Sequence, residues 1–198
     1  EAEQAAIKAE LHGKEFPKAV LAPQHSHFPA DTDTATSRWA FRLPDGQIQF
    51  WEAMWRKEDG SKIFVRYQLF SDGHVHKDQP ENPVPWGLEQ LASREKSTAY
   101  IFEGAKAAEA AYRLGNPSGR AERELADSHP WALDFRYAAC LGFTGGIYAA
   151  KNTDWSWLRK FGITDVVLVP DCDSGGRDAM FDVADVIDLP SRIFNTSH

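Results

Sequence analysis

The alternation of short apolar runs with helical segments in the second half of the chain is the strongest constraint on the fold. The runs at 99–102, 137–143 and 166–169 are short and apolar, as expected for strands that are covered on both faces. Segments 105–114 and 177–187 have helical spacing and follow two of these runs. Strands that alternate with helices predict an α/β fold, with a Rossmannoid, mainly parallel sheet and helices on both faces.

Shorter features fill the rest of this half. Residues 155–161 predict a short amphipathic helix, residues 191–195 predict a last strand, and the polar residues 115–135 predict an insertion. On the helix over 177–187 we expect four apolar side chains to face inward, namely Met180, Phe181, Val183 and Ile187.

The segment 38–77 has a different pattern. Three runs rich in aromatic and β-branched residues, at 39–43, 48–55 and 63–70, are separated by turns that contain Asp-Gly. Asp-Gly between apolar runs is typical of hairpins, because glycine adopts the positive φ of tight turns, so the segment predicts an antiparallel meander of three or four strands. Its interleaved basic and aromatic side chains fit either a surface for single-stranded nucleic acid or the meander's own core, and the core is favoured. These side chains include Arg38, Trp39, Trp51, Trp55, Phe64, Arg66 and Tyr67.

We predict three parts of the chain. Residues 1–37 form an N-terminal arm, which is punctuated by prolines and has helical turns near 5–11. Residues 38–96 form the antiparallel β subdomain and a connector, and residues 97–198 form the α/β domain.

Neither the histidines nor the cysteines indicate a zinc site. The pairs at 25–27 and 74–76 lack neighbouring cysteines and are predicted to be ordinary polar residues. Cys140 and Cys172 are not in metal-ligand spacing, and so few cysteines fit a reducing, cytoplasmic setting. Cys172 is expected to point inward as a small hydrophobe.

The net charge of −7 argues against a protein that coats nucleic acid with a broadly basic surface. Six aspartates lie between Asp171 and Asp188, so much of the negative charge is local. The net charge remains compatible with an enzyme that binds nucleic acid through a local basic patch and a metal ion. No apolar run is long enough to span a bilayer, and no membrane association is expected.

Two of the predicted strands end in acidic residues. Glu103 follows the first run, and Asp171 and Asp173 follow the third. The carboxyl ends of parallel strands meet at one edge of a sheet, where open α/β sheets bind their ligands. Carboxylates that converge there repel one another, and a hard cation such as Mg²⁺ resolves this by oxygen coordination. Asp-x-Asp alone is equally typical of a helix N-cap, and the matching Glu103 favours the metal site.

These residues also carry a family resemblance. Glu103-Gly-Ala-Lys106 and the later Pro170-Asp-Cys-Asp-Ser-Gly-Gly-Arg177 resemble the Toprim domain of DNA primases, topoisomerases and related nucleases. The likeness is greatest to primases and primase-helicases of phages and mobile elements, which carry Glu-Gly-Glu-Lys and later Pro-Asp-x-Asp-x-x-Gly-Arg. The chain departs at Ala105, often an acid in relatives, and at Cys172, often Asn, and neither change removes a family metal ligand. The resemblance covers roughly residues 38–190.

The resemblance implies a site and its chemistry. Glu103 would act as a general acid or base, and Glu103, Asp171 and Asp173 would together hold Mg²⁺ or Mn²⁺. A metal that bridges phosphate oxygens offsets the charge that develops in nucleotidyl transfer. A nearby carboxylate accepts the proton of an attacking 3′-hydroxyl.

Backbone and basic side chains next to the acids are expected to bind nucleotide phosphates, through Gly104, Lys106, Gly176 and Arg177. Lys106 is equally typical of a solvated surface lysine, and Arg177 could instead pair with a local aspartate. Lys151, Arg159 and Lys160 form a basic cluster, which is a candidate nucleic-acid contact or a solvated face.

The resulting hypothesis is a metal-dependent DNA primase-like nucleotidyltransferase core. It would make RNA primers from NTPs on a single-stranded DNA template during replication of a phage or mobile element. The sequence contains no GxxxxGK[ST] loop, so a helicase would be a separate module or partner. Two alternatives keep the metal site: a Toprim-type nuclease, and a non-catalytic module that binds nucleic acid or a nucleotide.

Overall fold

The computed structural model describes residues 28–70, 74–78, 80–93, 96–146, 149–172 and 174–194. Four sequence predictions fall outside these residues in whole or in part. They are most of the N-terminal arm with its helical turns, the histidine pair at 25–27, Asp173, and the end of the last strand at Asn195.

The predicted meander is present as a four-stranded antiparallel sheet. Its strands pair in chain order: β1 Ser37–Arg42, β2 Ile48–Arg56, β3 Lys62–Leu69 and β4 Val75–His76. The first two turns have glycine at positive φ, +86° at Gly46 and +82° at Gly60, as the Asp-Gly pattern predicts.

The second half forms a separate four-stranded sheet in which every neighbouring pair is parallel. Its strands are β5 Thr98–Phe102, β6 Ala139–Gly142, β7 Asp165–Val169 and β8 Ser191–Ile193. Their order in the sheet is β6-β5-β7-β8. The α/β class and the parallel sheet predicted from the sequence are therefore confirmed.

Helices cover both faces of the parallel sheet. The described helices are α1 Gln90–Ser93, α2 Ala105–Gly115, α3 Arg120–Asp127, α4 Ala132–Tyr137, α5 Ser156–Lys160 and α6 Ser174–Ile187, with 3₁₀ turns at Ala30–Thr32 and Ala150–Asn152. On one face α2 and α4 pack over Phe102 and Cys140, and on the other α5 and α6 pack over Ile101 and Leu168. Within the described residues, no helix combines the length and apolarity needed to cross a membrane.

The polar segment predicted as an insertion folds as α3 and α4. Because α4 extends to Tyr137, β6 begins two residues later than the predicted strand. Aromatic side chains from this region and from the sheet line an apolar groove of about 1020 Å³, among them Tyr100, Phe102, Trp131, Phe135 and Phe194.

One hydrophobic core joins the two sheets. It contains Trp39 and Phe50 of the antiparallel sheet together with Ile101, Leu168 and Met180 of the α/β part. The prediction that the aromatic side chains of the meander form core is confirmed for three of them: Trp39 lies in this shared core, and Trp51 and Tyr67 are buried in a second cluster within the antiparallel sheet. Phe64, by contrast, is 49% exposed.

The inward prediction for Phe181 is wrong, because this side chain is 53% exposed. Met180, Val183 and Ile187 are buried, as predicted. One residue along a helix rotates the side chain by about 100°, so Phe181 leaves the inner face that Met180 occupies.

Exchanging these two neighbours for alanine tests which side of α6 faces the core. Met180→Ala removes a fully buried side chain and is expected to lower the free energy of unfolding by about 2–5 kcal/mol. Phe181→Ala is expected to change it by less than about 1 kcal/mol, since the ring is half-exposed. Urea unfolding measures both, and equal losses would contradict the packing described.

Candidate active site

The two acidic strand ends lie side by side. β5 and β7 are parallel neighbours, and their register ends with Phe102 opposite Val169. Glu103 follows Phe102 directly, and Pro170-Asp171 follows Val169. β6 ends at the same edge, with Gly142 opposite Phe102. The prediction that Glu103 and Asp171 share the carboxyl edge of the sheet is therefore confirmed by the topology.

The side chain of Glu103 reaches the start of α6. A Cβ built on Gly176 would lie 2.8 Å from Glu103 Oε2, 2.8 Å from the Asp171 backbone nitrogen and 2.9 Å from the Asp171 carbonyl oxygen. Glu103 Oε2 is buried at this contact, although the residue as a whole is partly exposed. Glu103, Asp171 and Gly176 thus form one close-packed group, which leaves no space for a side chain at position 176.

Glycine at position 104 lets the chain turn from β5 into α2. Gly104 has φ +110° and is the N-terminal cap of α2, without a side-chain hydrogen bond. This region of φ favours glycine over every other residue. Nothing lies within 4 Å of the place that a Cβ would occupy, so this side of the Gly104 backbone is open, whereas its carbonyl packs against Gly142.

The two basic residues predicted to bind phosphate lie at the same edge. Lys106 is the second residue of α2 and Arg177 the fourth of α6, and both are exposed. Helix N-termini carry partial positive charge, which adds to that of the two side chains. The structure therefore brings Lys106 and Arg177 to the neighbourhood of Glu103.

The third predicted metal ligand, Asp173, lies outside the described residues. Asp171 is exposed. Among the residues that are described, no group of three or more His, Cys, Asp or Glu side chains is placed to share one ion. The metal site therefore stays a prediction, with Glu103 and Asp171 as its described members.

The inward prediction for Cys172 is wrong, because its side chain is exposed. The strand has ended at Val169, so the alternation of inner and outer side chains no longer applies. The other cysteine, Cys140, lies in the core, and burial raises the pKa of its thiol to about 12. Cys140 is therefore unsuited to act as a nucleophile.

The basic cluster predicted to bind nucleic acid lies apart from the acidic edge. Lys151 Nζ pairs with Asp182 Oδ1 at 2.9 Å, and Arg159 Nη2 pairs with Asp188 Oδ2 at 2.5 Å. Lys160 Nζ lies 4.2 Å from the centre of the Trp157 ring. Asp188 follows the last residue of α6, whose 14 residues span about 20 Å from the acidic edge.

Three residues connect the antiparallel sheet to this edge, and the sequence reasoning missed the role of Glu52 and the hydrogen bonds among the three. They are Glu52 on β2, Arg66 on β3 and Thr144, just after β6, and they are hydrogen-bonded to one another. The signal in the sequence is an acid at Glu52, on the same strand face as the apolar Phe50 and Met54. A charged residue on an apolar strand face is expected to have a hydrogen-bonding or oppositely charged partner, because burying it without one costs free energy.

No family model matches this sequence, and no curated protein matches it either. The fold is similar to the crystal structure of a DNA primase domain from Pseudomonas aeruginosa, with a TM-score of 0.50 and 13% sequence identity. The match covers 81% of this chain and 44% of that one, so the chain spans less than half of that domain. The likeness shows a primase-like fold.

Gly176→Ala tests the close approach of Glu103 and the Asp171 backbone to Gly176. The added methyl group must displace the Glu103 carboxylate and the Asp171 peptide, and such overpacking costs about 1–3 kcal/mol. This exceeds the gain of at most about 1 kcal/mol that alanine brings to a helix. We expect a net loss in the free energy of unfolding, measured by urea denaturation.

Gly119→Ala is the matched control. Nothing lies within 4 Å of the Cβ that this substitution adds, so the free energy of unfolding should change by less than about 1 kcal/mol. If Gly176→Ala is as well tolerated as Gly119→Ala, Glu103 is not packed against Gly176.

Proposed function

We propose that this chain is the nucleotidyltransferase core of a Toprim-type DNA primase, which makes RNA primers from NTPs on single-stranded DNA in the cytoplasm. The replicating element would be a phage or mobile element, and a helicase module or partner would supply the unwound template. One observation carries the proposal: in a primase-like fold, the Glu103 carboxylate and the Asp171 peptide both pack against Gly176 at the carboxyl edge of the parallel sheet.

The donors at this edge fit a hard divalent cation. Carboxylate oxygens are the ligands that Mg²⁺ and Mn²⁺ prefer, and Glu103 and Asp171 supply them from adjacent strand ends. Asp173, two residues after Asp171, is the third proposed ligand. When bound, the ion would offset the negative charge that develops on the phosphate during nucleotidyl transfer.

The chain's own residues would bind and orient the reactants. The Glu103 carboxylate would accept the proton of the attacking 3′-hydroxyl, and its packing against Gly176 fixes the direction from which it acts. The exposed Lys106 and Arg177 would bind the triphosphate of the incoming nucleotide, together with backbone at Gly104 and Gly176.

We further propose that the template is contacted outside the acidic edge by Lys151, Arg159 and Lys160. Lys151 and Arg159 each have an aspartate partner, which a DNA phosphate would have to replace. Exchanging one ion pair for another gains little free energy. We therefore expect these residues to contribute less to binding than Lys106 and Arg177.

A primer-synthesis assay on single-stranded DNA, with NTPs and either Mg²⁺ or Mn²⁺, tests the proposal. Glu103→Gln keeps the shape of the side chain but removes the proton acceptor, and it should lower the rate of primer formation by about 10²–10⁴-fold. Asp171→Asn with Asp173→Asn should have an effect of similar size and should raise the Mn²⁺ concentration needed for half-maximal activity.

Asp185→Asn is the matched control, since Asp185 is an exposed aspartate in the second half of α6 and should be replaceable without effect. Wild-type protein that makes no primer with either metal would contradict the primase proposal. Cleavage of plasmid DNA that depends on Glu103 would then identify a nuclease. DNA binding without turnover, unchanged by Glu103→Gln, would identify a binding module.

A further inference from the structure

The Glu52 carboxylate is a charged group inside the shared core. Glu52 lies on β2 on the same face as Phe50 and Met54, and it is 4% exposed. Its neighbours across the sheet are Trp39 on β1 and Arg66 on β3. Burying a carboxylate costs free energy unless hydrogen bonds or an opposite charge compensate. The contacts of Glu52 therefore indicate what the residue does.

Those contacts reach from one sheet to the other. Arg66 Nε donates hydrogen bonds to Glu52 Oε2 at 3.0 Å and to Thr144 Oγ1 at 2.7 Å. The Thr144 hydroxyl, itself buried, donates to the same Glu52 oxygen. We call these three residues the Glu52 cluster. Its members come from two neighbouring strands and from a turn that lies 92 residues after Glu52.

The turn that holds Thr144 lies beside the candidate active site. Two residues before Thr144, a Cβ on Gly142 would approach the Gly104 carbonyl oxygen to 2.5 Å. One residue after Thr144, a Cβ on Gly145 would lie 3.3 Å from Arg66 Nη2. The segment 143–146 thus begins next to the Gly104 backbone and passes the guanidinium group of Arg66.

We propose that Glu52 is a positioning residue for nucleotide binding, which acts through Thr144 and Arg66 and does not itself touch the nucleotide. It fixes the turn 143–146 and the Arg66 guanidinium as one side of the proposed site for the incoming nucleoside triphosphate. The inference rests on the proposed function. It adds residues of the antiparallel sheet to a site that otherwise consists of the acidic edge of the parallel sheet. Loss of the cluster should weaken nucleotide binding more than it slows the chemical step.

Stability alone does not require this arrangement. Apolar side chains of similar volume would join the two sheets without the desolvation penalty of a carboxylate and a guanidinium, and such replacements are often neutral or stabilising. The cluster does what apolar contacts cannot do, because its hydrogen bonds fix the orientation of Thr144 and Arg66 as well as their distance. Orientation matters for binding a phosphate, whose oxygens require donors at defined angles.

Paired substitutions at Thr144 test the inference. Thr144→Val keeps the shape but removes the hydroxyl, whereas Thr144→Ser keeps the hydroxyl. We expect Thr144→Val to raise the Kd of a fluorescent ATP analogue in Mn²⁺ buffer, and the KM for NTPs, on the order of tenfold, with a smaller change in kcat. Thr144→Ser should restore wild-type values to within about threefold. Thr164→Val is the control, because Thr164 is exposed and precedes β7 at the opposite edge.

A double-mutant cycle separates positioning from general loosening of the fold. Glu52→Gln should raise the same Kd, and in combination with Thr144→Val it should add little, since both substitutions break one network. Each variant is compared at a temperature where its circular dichroism spectrum equals that of wild type. If Glu52→Gln does not fold, the Val and Ser variants of Thr144 alone decide the matter.

The outcomes distinguish the two proposals. Wild type that makes primers while Thr144→Val leaves Kd and KM unchanged contradicts the role of the cluster and leaves the primase proposal standing. Wild type that binds the analogue but makes no primer, with binding lost in Thr144→Val, supports the cluster and contradicts the primase reaction. Wild type that neither binds the analogue nor makes primer contradicts both.

Discussion

Parallel pairing between β5 and β7 is the constraint on which the acidic edge depends. Since their register ends at Phe102 and Val169, the chain leaves the sheet at two adjacent points, and backbone hydrogen bonds place Glu103 and Asp171 as neighbours. The sheet also supplies the stability that holds the two strand ends at this edge. It does so through fully buried side chains such as Ile101 and Leu168.

The edge also depends on positions without side chains. Gly176 lets both Glu103 and the Asp171 backbone approach the start of α6, and Gly142 lets β6 end against the Gly104 carbonyl. In both places a methyl group would meet backbone atoms that belong to the strand-to-helix connections. The glycines at the end of β6 and the start of α6, together with the buried Glu52, therefore bring three segments that are distant in sequence to one place.

The sequence predicted what local patterns determine. Apolar runs ended by Glu103 and by Asp171 were enough to place both acids at one sheet edge, since parallel strands share their carboxyl ends. The Glu52 cluster could not be predicted, because its hydrogen bonds join residues 92 positions apart. The polar helix α3 was missed because few of its residues are apolar. Local contacts support it instead, including the ion pair of Arg120 with Glu124 and the hydrogen bond from the Ser118 backbone to Glu122.

An acidic chain can act on a polyanion when its charges are unevenly arranged. Several surface acids are neutralised by partners, as Asp165 is by Arg192 and Glu109 by Arg113, so they contribute little to the field at a distance. At the candidate site, negative and positive charges lie close together, with the carboxylates at the centre and Lys106 and Arg177 nearby. Carboxylates repel phosphate, and the divalent cation of the proposed function would offset that repulsion. Under the proposed function, affinity for nucleotide should therefore depend on the divalent metal more steeply than on the net charge of the protein.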